Sequence, residues 1–412
     1  MDDLLVHRRP GPAEAARARG GTQTTPPAPG ASFDVVVVGA GVIGLSIAWK
    51  SASSGMRVAV VDPSPGSGSS WAAAGMLAPV TEVHYGEEPL LALNRSSAAL
   101  WPEFARQLEA ASGLPVGYLA CGTLLVAAEE ADLALLEELH GFQQELGLEV
   151  EWLSARRARL LEPNLAPGIR AAMFAAGDHQ VDNRLLVAAL IAAAQRSGCS
   201  FHAVRAVAVE RAGNSVEGVS LEGGSIVRAP VVVLAAGAWS GDIGGVPEAL
   251  LPPVRPVKGQ IMRTTSAPGP PVLERTLRGF VNGRHVYLVP RSNGTVVIGG
   301  TVEEQGFDTS VTAGAVYEIL RDAHRLVPAV TELQLDEAIA GLRPGSPDNA
   351  PIVGAPAPSE LTGFLVATGH YRNGVLLAPL TTDAVCALLE GKDLPSQLAP
   401  FSPCRFQVSG AA

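Results

Sequence analysis

The sequence predicts an α/β fold in which a doubly wound parallel sheet accompanies a second, antiparallel sheet. An unbroken valine run at Val35–Val38 is typical of a parallel strand that is covered on both faces. A glycine-rich turn, a helical pattern and a second apolar strand follow it in that order. Farther along, Ser292–Gly294 separates two strand-like runs and predicts a hairpin of the antiparallel sheet.

The composition is typical of a globular enzyme. With 412 residues the chain is long for one hydrophobic core, so we expect two domains or one domain with large insertions. Hydrophobic residues make up 47% of the chain and charged residues 17%, which argues against a disordered protein. The net charge is −10 and no cluster of Lys and Arg offers a phosphate-binding face, so we expect no nucleic-acid partner. No apolar run is long enough to span a membrane, so we expect no membrane partner.

The cysteines and the first residues bear on the cellular compartment. The cysteines contain no CxxC pair and no metal-like spacing with histidine, which predicts reduced thiols, no metal site and a cytoplasmic protein. They are Cys121, Cys199, Cys386 and Cys404. Residues 1–32 are rich in Pro, Gly, Ala and Arg and lack the apolar core of a secretory signal. We therefore expect a disordered N-terminal tail there.

Residues 34–62 contain the signature of a dinucleotide site. Gly39, Gly41 and Gly44 form a GxGxxG turn between a strand and a helix. The first glycine permits the tight turn, the second lets a pyrophosphate approach the backbone, and the third lets helix and strand pack closely. The helix N-terminus adds free N–H groups and a partial positive charge. Asp62, at the end of the second strand, offers a carboxylate to ribose hydroxyls, so a Rossmann-like nucleotide-binding domain is predicted.

Three further glycine-rich segments refine the type of dinucleotide. After Asp62 comes "PSPGSGSSWAAAGMLAP", whereas an NAD enzyme would ordinarily continue into further βα units. Its small residues suggest a second close approach of backbone to cofactor, which favours FAD. Gly237 follows the apolar run "VVVLAA", and another glycine-rich turn occupies residues 369–374. In a doubly wound sheet such strand-to-glycine turns meet at one edge, so we expect Gly237 at the cofactor site.

Arg343, in "AGLRPGSPDNAPIVG", is a candidate ligand for an anion. Pro344 restricts the conformation of the residue before it, so Arg343 is expected to be extended and aimed in one direction. A guanidinium fork matches a carboxylate in two places. The alternative is a structural ion pair with an acidic side chain of this chain.

The sequence resembles the D-amino acid oxidase group of FAD-dependent amine oxidases. The matching blocks are "VVVVGAGVIGLSIAW", "SSWAAAGMLAP", "VVVLAAGAWS", "VKGQIM", "VYLVPR", "AGLRPGSPDNAPIVG" and "GHYRNGVLLAP". They occur in the order typical of the group and span roughly residues 33 to 400. Within the group, "GLRPGSPD" and "GHYRNGVLLAP" are most similar to the glycine oxidases of thiamine biosynthesis.

The resemblance implies roles for individual residues. Arg343 is expected to bind the substrate carboxylate, Tyr287 to share it through its hydroxyl, and Arg372 to be a second cation near substrate or flavin. For Tyr287 the alternative is an ordinary aromatic core residue. Non-covalent FAD is expected to contact Gly39, Gly41, Val42, Ile43, Gly44, Asp62, Ser69, Ser70, Ala74, Gly75, Met76, Val207, His370, Arg372, Asn373, Gly374, Val375 and Leu376.

The resemblance also implies a division into two domains. An FAD-binding domain is expected from residues 33–115, 178–255 and 341–400, and a substrate domain with an antiparallel sheet from residues 116–177 and 256–340. Residues 401–412 are expected to form a C-terminal tail.

The implied activity is the oxidative deamination of glycine, with sarcosine and small D-amino acids as open alternatives. Hydride transfer from a neutral amine to flavin needs no side-chain acid or base, because the flavin carries the chemistry. The products would be an imine, then glyoxylate, ammonia and hydrogen peroxide, with O2 as the acceptor. The resemblance further implies a homo-oligomer and a hand-off of the imine to thiazole synthase for the thiazole moiety of thiamine.

Three other functions are weighed against this one. A D-amino acid dehydrogenase would send electrons to a quinone, and the absence of a membrane-binding segment argues against it. An enzyme similar to sarcosine oxidase would hold its flavin covalently, but "RPGSPDN" lacks the attaching cysteine. A non-catalytic flavin-binding subunit of a larger complex is disfavoured because the set Arg343, Tyr287 and Arg372 is intact.

Overall fold

The computed structural model describes residues 32–356 and 359–406. The predicted N-terminal tail therefore lies outside the described residues except for Ser32, and the predicted C-terminal tail except for residues 401–406. Those six residues lie against the body of the protein, since Phe401 is buried and Arg405 forms an ion pair with Asp348.

The regular elements alternate along the chain as the glycine pattern predicts. The strands of the described residues are β1 (Val35–Val38), β2 (Val58–Val61), β3 (Met76–Leu77), β4 (Thr123–Ala127), β5 (Glu151–Ser154), β6 (Ala171–Ala175), β7 (His179–Gln180), β8 (Ser200–His202), β9 (Ala206–Ala212), β10 (Ser215–Leu221), β11 (Ile226–Arg228), β12 (Val231–Leu234), β13 (Arg255–Thr265), β14 (Thr276–Val281), β15 (Arg284–Pro290), β16 (Thr295–Gly299), β17 (Gln334–Gly345), β18 (Ile352–Gly354) and β19 (Phe364–Thr368). The α-helices are α1 (Val42–Ser53), α2 (Ser69–Ala72), α3 (Glu88–Ser112), α4 (Glu130–Glu145), α5 (Ala155–Leu161), α6 (Asn183–Arg196), α7 (Ala313–Leu326) and α8 (Ala378–Leu389).

A six-stranded sheet forms the nucleotide-binding part, in the order β18-β19-β12-β1-β2-β8. All its pairs are parallel except β18–β19. The side chains of β1 alternate between two apolar clusters: Val35 and Val37 pack with helices α1, α3, α6 and α8, whereas Val36 and Val38 pack with the small sheet β9–β11. Burial on both faces explains why this strand is an unbroken valine run.

An eight-stranded sheet forms the second part, in the order β17-β13-β16-β15-β14-β4-β6-β5. The predicted hairpin around Ser292–Gly294 is confirmed, because β15 and β16 pair antiparallel across it. The sheet is antiparallel except for β14 and β4, which pair in parallel. One face packs on α7, and the other faces the loop before β3.

The predicted α/β fold, with a parallel sheet and a second, mainly antiparallel sheet, is thus confirmed. The proposed domain boundaries stay a prediction. Strand β17 runs continuously through the boundary placed at residue 341.

Candidate active site

One cavity of about 1060 Å³ lies between the two large sheets. The turns after β1, β12 and β19 contribute Gly39, Gly41, Gly237 and Gly374 to its wall. These three strands are neighbours, so their carboxyl ends meet at one edge of the sheet. The opposite wall comes from the eight-stranded sheet and includes Tyr287 and Arg343.

The GxGxxG turn is packed so closely that side chains are excluded. A Cβ atom on Gly39, whose φ is +105°, would lie 2.3 Å from the Ala235 carbonyl oxygen. A Cβ atom on Gly44 would lie 1.9 Å from the Gly39 carbonyl oxygen. Gly41 borders the cavity, and a Cβ there would be 3.1 Å from the Ser70 hydroxyl oxygen. The turn therefore brings bare backbone to the cavity at the start of α1.

Asp62 lies at the cavity wall directly after β2. Its two carboxylate oxygens accept hydrogen bonds from the backbone N–H groups of Ala40 and Ser64, each at 2.7 Å. These bonds fix the carboxylate beside the glycine turn. Each oxygen keeps a lone pair for a ribose hydroxyl.

Arg343 and Tyr287 approach each other from β17 and β15, over the two strands that separate them. The Arg343 Nη1 atom donates to the carbonyls of Thr301 (3.0 Å) and Lys258 (3.3 Å), and within the described part of the chain the guanidinium forms no ion pair. An acidic partner within the described residues is therefore ruled out for Arg343, and its remaining N–H groups can receive an external anion.

Glycines on the intervening strands make room for both side chains. A Cβ atom on Gly259 of β13 would lie 2.4 Å from the Arg343 guanidinium, and one on Gly299 of β16 would lie 2.4 Å from the Tyr287 hydroxyl. Gly300 is equally close-packed, with its added Cβ at 2.9 Å from the same hydroxyl. The two side chains thus lie flat across the sheet with their polar ends toward each other.

The Tyr287 hydroxyl is a hydrogen-bond donor at neutral pH. Burial raises the pKa of Tyr287, and the nearby positive charge of Arg343 only partly opposes this effect. A neutral hydroxyl beside a guanidinium can donate to one oxygen of a bound carboxylate.

Arg372 lies near Arg343 because the turn after β19 is joined to the end of β17. The Tyr371 N–H donates to the Pro344 carbonyl at 2.9 Å, and Gly345 pairs with His370. Arg372 is exposed at the cavity wall, and its Nη1 lies 3.3 Å from His84 Nε2. The structure therefore brings all three predicted substrate-binding side chains to one cavity.

Comparison with known proteins identifies the family. A family model described as FAD dependent oxidoreductase matches residues 34–388. The chain belongs to the FAD-dependent oxidoreductase family. Its predicted resemblance to this group and its predicted cofactor, FAD, are confirmed.

Individual relatives cover most of this chain. The glycine oxidase of Geobacillus kaustophilus is 36% identical over 90% of this chain and 97% of the relative. A crystal structure of glycine oxidase from that organism superposes with a TM-score of 0.83 over 91% of this chain and 99% of the other. Hydrogen cyanide synthase subunit HcnC of Pseudomonas aeruginosa is 30% identical over 92% of this chain and 98% of the relative. The bifunctional protein ThiO/ThiG of Trichormus variabilis is 33% identical over 91% of this chain but only 55% of the relative.

The loop of small residues after Asp62 is compatible with the FAD of this family, and hydrogen bonds at three places hold this loop in position. The Ser69 hydroxyl donates to the Leu342 carbonyl at 2.6 Å, and the Asn183 amide donates to the carbonyls of Ser70 and Trp71, both at 2.9 Å. Arg291 Nη2 donates to the Ala74 carbonyl at 2.5 Å. The predicted contacts of this loop line the cavity, namely Ser69, Ser70, Ala74, Gly75 and Met76.

The turn after β19 places a neutral histidine beside the cavity. The His370 ring is buried, its Nε2 lies 3.0 Å from the Thr381 hydroxyl, and burial lowers the pKa of His370 to about 3. Gly374 and Val375 also line the cavity. The turn after β19 thus brings uncharged groups to the cavity beside the charged Arg372.

Some predicted FAD contacts support the cavity wall without lining it. Val42 and Ile43 line the cavity, whereas Gly44 packs behind the first glycine turn. Asn373 and Leu376 are also absent from the wall, and the Leu376 carbonyl accepts hydrogen bonds from Ser97 and Trp101. Gly44 and Leu376 thus support the two turns from behind, whereas Asn373 lines a smaller neighbouring cavity.

Val207, which was expected to meet the adenine through its backbone, is not among the residues that line the cavity, and this contact stays a prediction. Its carbonyl accepts the Gly244 N–H at 2.9 Å, and its side chain is 47% exposed. The wall at this point consists of Arg205 and Ala206.

The sequence interpretation missed two supporting residues, Asn183 and Arg291. Arg291 is only 6% exposed, and burial lowers the pKa of its guanidinium to about 10. Its Nη1 donates to the Gln180 side chain at 2.5 Å. A charged residue directly after the apolar strand "VYLVP" was the available signal, since buried charges require partners.

Proposed function

We propose that the protein is an FAD-dependent oxidase of small amino acids, with glycine as its first candidate substrate. The observation that carries the proposal is the Arg343 guanidinium, which has no acidic partner among the described residues and faces the cavity together with the Tyr287 hydroxyl. With FAD held by the glycine turns of the opposite wall, as we propose, an anion on Arg343 would be fixed beside the redox cofactor.

Carboxylate binding is the proposed task of Arg343 and Tyr287. A hydrogen bond to a charged group contributes about 1.5–3 kcal/mol, so two such bonds from Arg343 would orient even a ligand as small as glycine. The Thr301 and Lys258 carbonyls fix the direction of the guanidinium. Arg372 adds positive potential at the same cavity, and we propose that it attracts the substrate carboxylate.

The protein side chains orient the substrate, and they need not transfer a proton. FAD, when bound, accepts the hydride that leaves the substrate α-carbon. His285 lines the cavity and is partly open to solvent, but desolvation by the surrounding wall together with nearby positive charges lowers the pKa of His285 to about 4. Both His285 and His370 are therefore neutral at pH 7, in keeping with a reaction that starts from a neutral amine.

We propose non-covalent FAD and O2 as the electron acceptor. None of the four cysteines, all within the described residues, lines the cavity. The relative from G. kaustophilus is named a glycine oxidase, and another relative is the bifunctional ThiO/ThiG, which supports a role for this chain in supplying the thiazole of thiamine. A homo-oligomer and a hand-off to thiazole synthase belong to the same proposal.

A second candidate is the flavin subunit of a larger complex. The relative HcnC, a hydrogen cyanide synthase subunit, covers as much of this chain as the glycine oxidase does. Such a subunit would pass its electrons to a partner and would release little hydrogen peroxide by itself.

A peroxide-release panel with the purified holoprotein tests the proposal. Glycine, sarcosine, D-alanine and D-proline are supplied in air, and peroxide and ammonia or methylamine are measured. We expect peroxide from glycine and stoichiometric glyoxylate. Flavin reduction by glycine without peroxide would favour the second candidate, and no flavin reduction by any of the four would refute the amino acid oxidase. FAD released by denaturation would confirm that it is not covalently bound.

A further inference from the structure

Arg278 flanks Tyr287 on the side away from Arg343. The row of directly opposed residues across the large sheet runs Ile261, Gly299, Tyr287, Arg278, on strands β13, β16, β15 and β14. Directly opposed residues of antiparallel strands share one face of the sheet. Because Arg343 lies on β17, at the other end of this strand order, Tyr287 stands between two cationic groups.

Glu82 neutralises one of those two groups. Its carboxylate lies 3.3 Å from the Arg278 guanidinium, and the two side chains are only 14% and 7% exposed. Arg278 also donates to the Thr81 carbonyl at 2.6 Å. The cavity wall thus has the Arg343 guanidinium, which forms no ion pair within the described residues, on one side of Tyr287 and the Glu82 carboxylate, paired with Arg278, on the other.

The turn that carries Glu82 is fixed from behind by Asp178. The fully buried Asp178 carboxylate accepts hydrogen bonds from the Thr81 N–H and hydroxyl, both at 2.7 Å, and from the Val80 N–H at 3.1 Å. These hydrogen bonds restrict the backbone conformation of Glu82, the residue that follows Thr81. Glu82 is therefore a preorganised part of the cavity wall.

The Glu82 carboxylate is close enough to Tyr287 for their charges to interact. Burial raises the pKa of the Tyr287 hydroxyl, Arg343 lowers it, and the negative charge of Glu82 raises it further. Glu82, Tyr287 and Arg343 all line the same cavity. For a ligand whose carboxylate lies between Arg343 and Tyr287, Glu82 would lie on the side of Tyr287 that faces away from Arg343.

We propose that Glu82 binds the substrate amino group. This inference rests on the proposed amino acid oxidase. A small amino acid is a zwitterion, and a wall with the Arg343 guanidinium on one side of Tyr287 and the Glu82 carboxylate on the other matches its two charges. Because Arg278 shares the carboxylate, the field at the amino group is weaker than that of an unpaired acid, so the amine can still lose its proton.

Glu87 provides a matched control in the same segment. It lines a neighbouring small cavity of about 260 Å³, with His84 and Arg372, but does not line the large one. Glu82 lines both cavities. The two acids thus share their surroundings, and only one of them reaches the proposed amino-group position.

The test compares glycine with propionate, which has a methyl group in place of the ammonium. Both are titrated by calorimetry into holoenzyme that is reduced anaerobically, so that glycine is bound and not consumed. For Glu82→Gln we expect the dissociation constant of glycine to rise by about tenfold, which corresponds to one charge-assisted contact, while that of propionate changes by less than about threefold. Glu87→Gln should leave both constants unchanged.

Equal changes for both ligands, or no change in Glu82→Gln, would overturn the inference. The wild type gives a second measurement that needs no variant: glycine must bind the reduced holoenzyme more tightly than propionate, and the reverse order also overturns it. The test distinguishes failure of the proposed role of Glu82 from failure of the proposed function. Oxidation of glycine by the wild type, together with an unchanged glycine-to-propionate ratio in Glu82→Gln, refutes only the role of Glu82.

Discussion

Gly259 lies directly beneath the guanidinium of Arg343. A Cβ atom on this glycine would be 2.4 Å from both Nη atoms, although the two residues belong to different strands. The guanidinium of Arg343 therefore packs directly on the backbone of β13. The distance between the guanidinium and the sheet is this short because Gly259 has no side chain.

Substitution Gly259→Ala should displace this guanidinium. A shift of about 1 Å in a substrate-positioning group costs on the order of 100-fold in rate, so we expect a comparable loss in kcat/KM for glycine. The yellow holoprotein should still form, because Gly259 is on the sheet opposite the glycine turn. Steady-state kinetics and the flavin spectrum measure the two effects, and a normal kcat/KM would show that Arg343 tolerates the shift.

Substitution Arg343→Ala should abolish most turnover without loss of FAD. Two charge-assisted hydrogen bonds of about 1.5–3 kcal/mol each correspond to a decrease of roughly 10²–10⁴-fold in kcat/KM. Arg57→Ala, which removes an exposed arginine paired with Asp34, is the control and should have wild-type kinetics. Unchanged turnover on glycine in Arg343→Ala would remove this residue from the mechanism.

Substitution Gly39→Ala should impair FAD binding. The added Cβ would lie 2.3 Å from the Ala235 carbonyl oxygen, at a φ of +105° that side chains rarely adopt. Overpacking costs about 1–3 kcal/mol, so we expect FAD to bind roughly 10–100-fold more weakly. Gly141→Ala is the control, since nothing lies within 4 Å of its added Cβ. Fluorescence titration of the apoprotein with FAD measures both, and equal affinities would contradict the tight turn.

Asp178 should make the stability of the protein depend on pH. Burial raises the pKa of the Asp178 carboxyl from 3.8 to about 6 in the folded protein. A raised pKa stabilises the fold below the unfolded value, and this contribution is lost as the pH rises through the folded value. The loss is on the order of 3 kcal/mol between about pH 4 and pH 6.

Substitution Asp178→Asn should remove this dependence. Relative to the wild type, the variant should gain in free energy of unfolding as the pH rises from 4 to 7, as measured by denaturant titration.

Asp34 should have the opposite effect on the pH dependence of stability, because its hydrogen bonds with Arg57 lower the pKa of Asp34. The contribution of Asp34 to the free energy of unfolding is lost as the pH falls. The difference in this free energy between Asp34→Asn and the wild type should therefore become smaller at low pH.

The sequence predicted those features that depend on local patterns. Val35–Val38, the glycine turn and Asp62 are adjacent in the chain, and local geometry alone places them at one sheet edge. Val207 lies on β9, whose mixed burial gives no local signal for which of its residues border the cavity, and the structure places Arg205 and Ala206 there.

The remaining site residues come from segments far apart in sequence. Glu82, Asp178 and Arg278 meet only because β14 pairs in parallel with β4 in a sheet that is otherwise antiparallel, and no local pattern indicates this pairing. Likewise, Gly259 and Gly299 look like ordinary strand glycines until the Arg343 and Tyr287 side chains are seen lying over them.

The join between the end of β17 and the turn after β19 has a mechanical consequence. The Tyr371 N–H bond to the Pro344 carbonyl and the pairing of Gly345 with His370 fix the strand that carries Arg343 to the turn after β19, which lines the same cavity. Because both contacts join backbone to backbone, the spacing between the anion-binding arginine and the turn after β19 does not depend on the identity of any side chain.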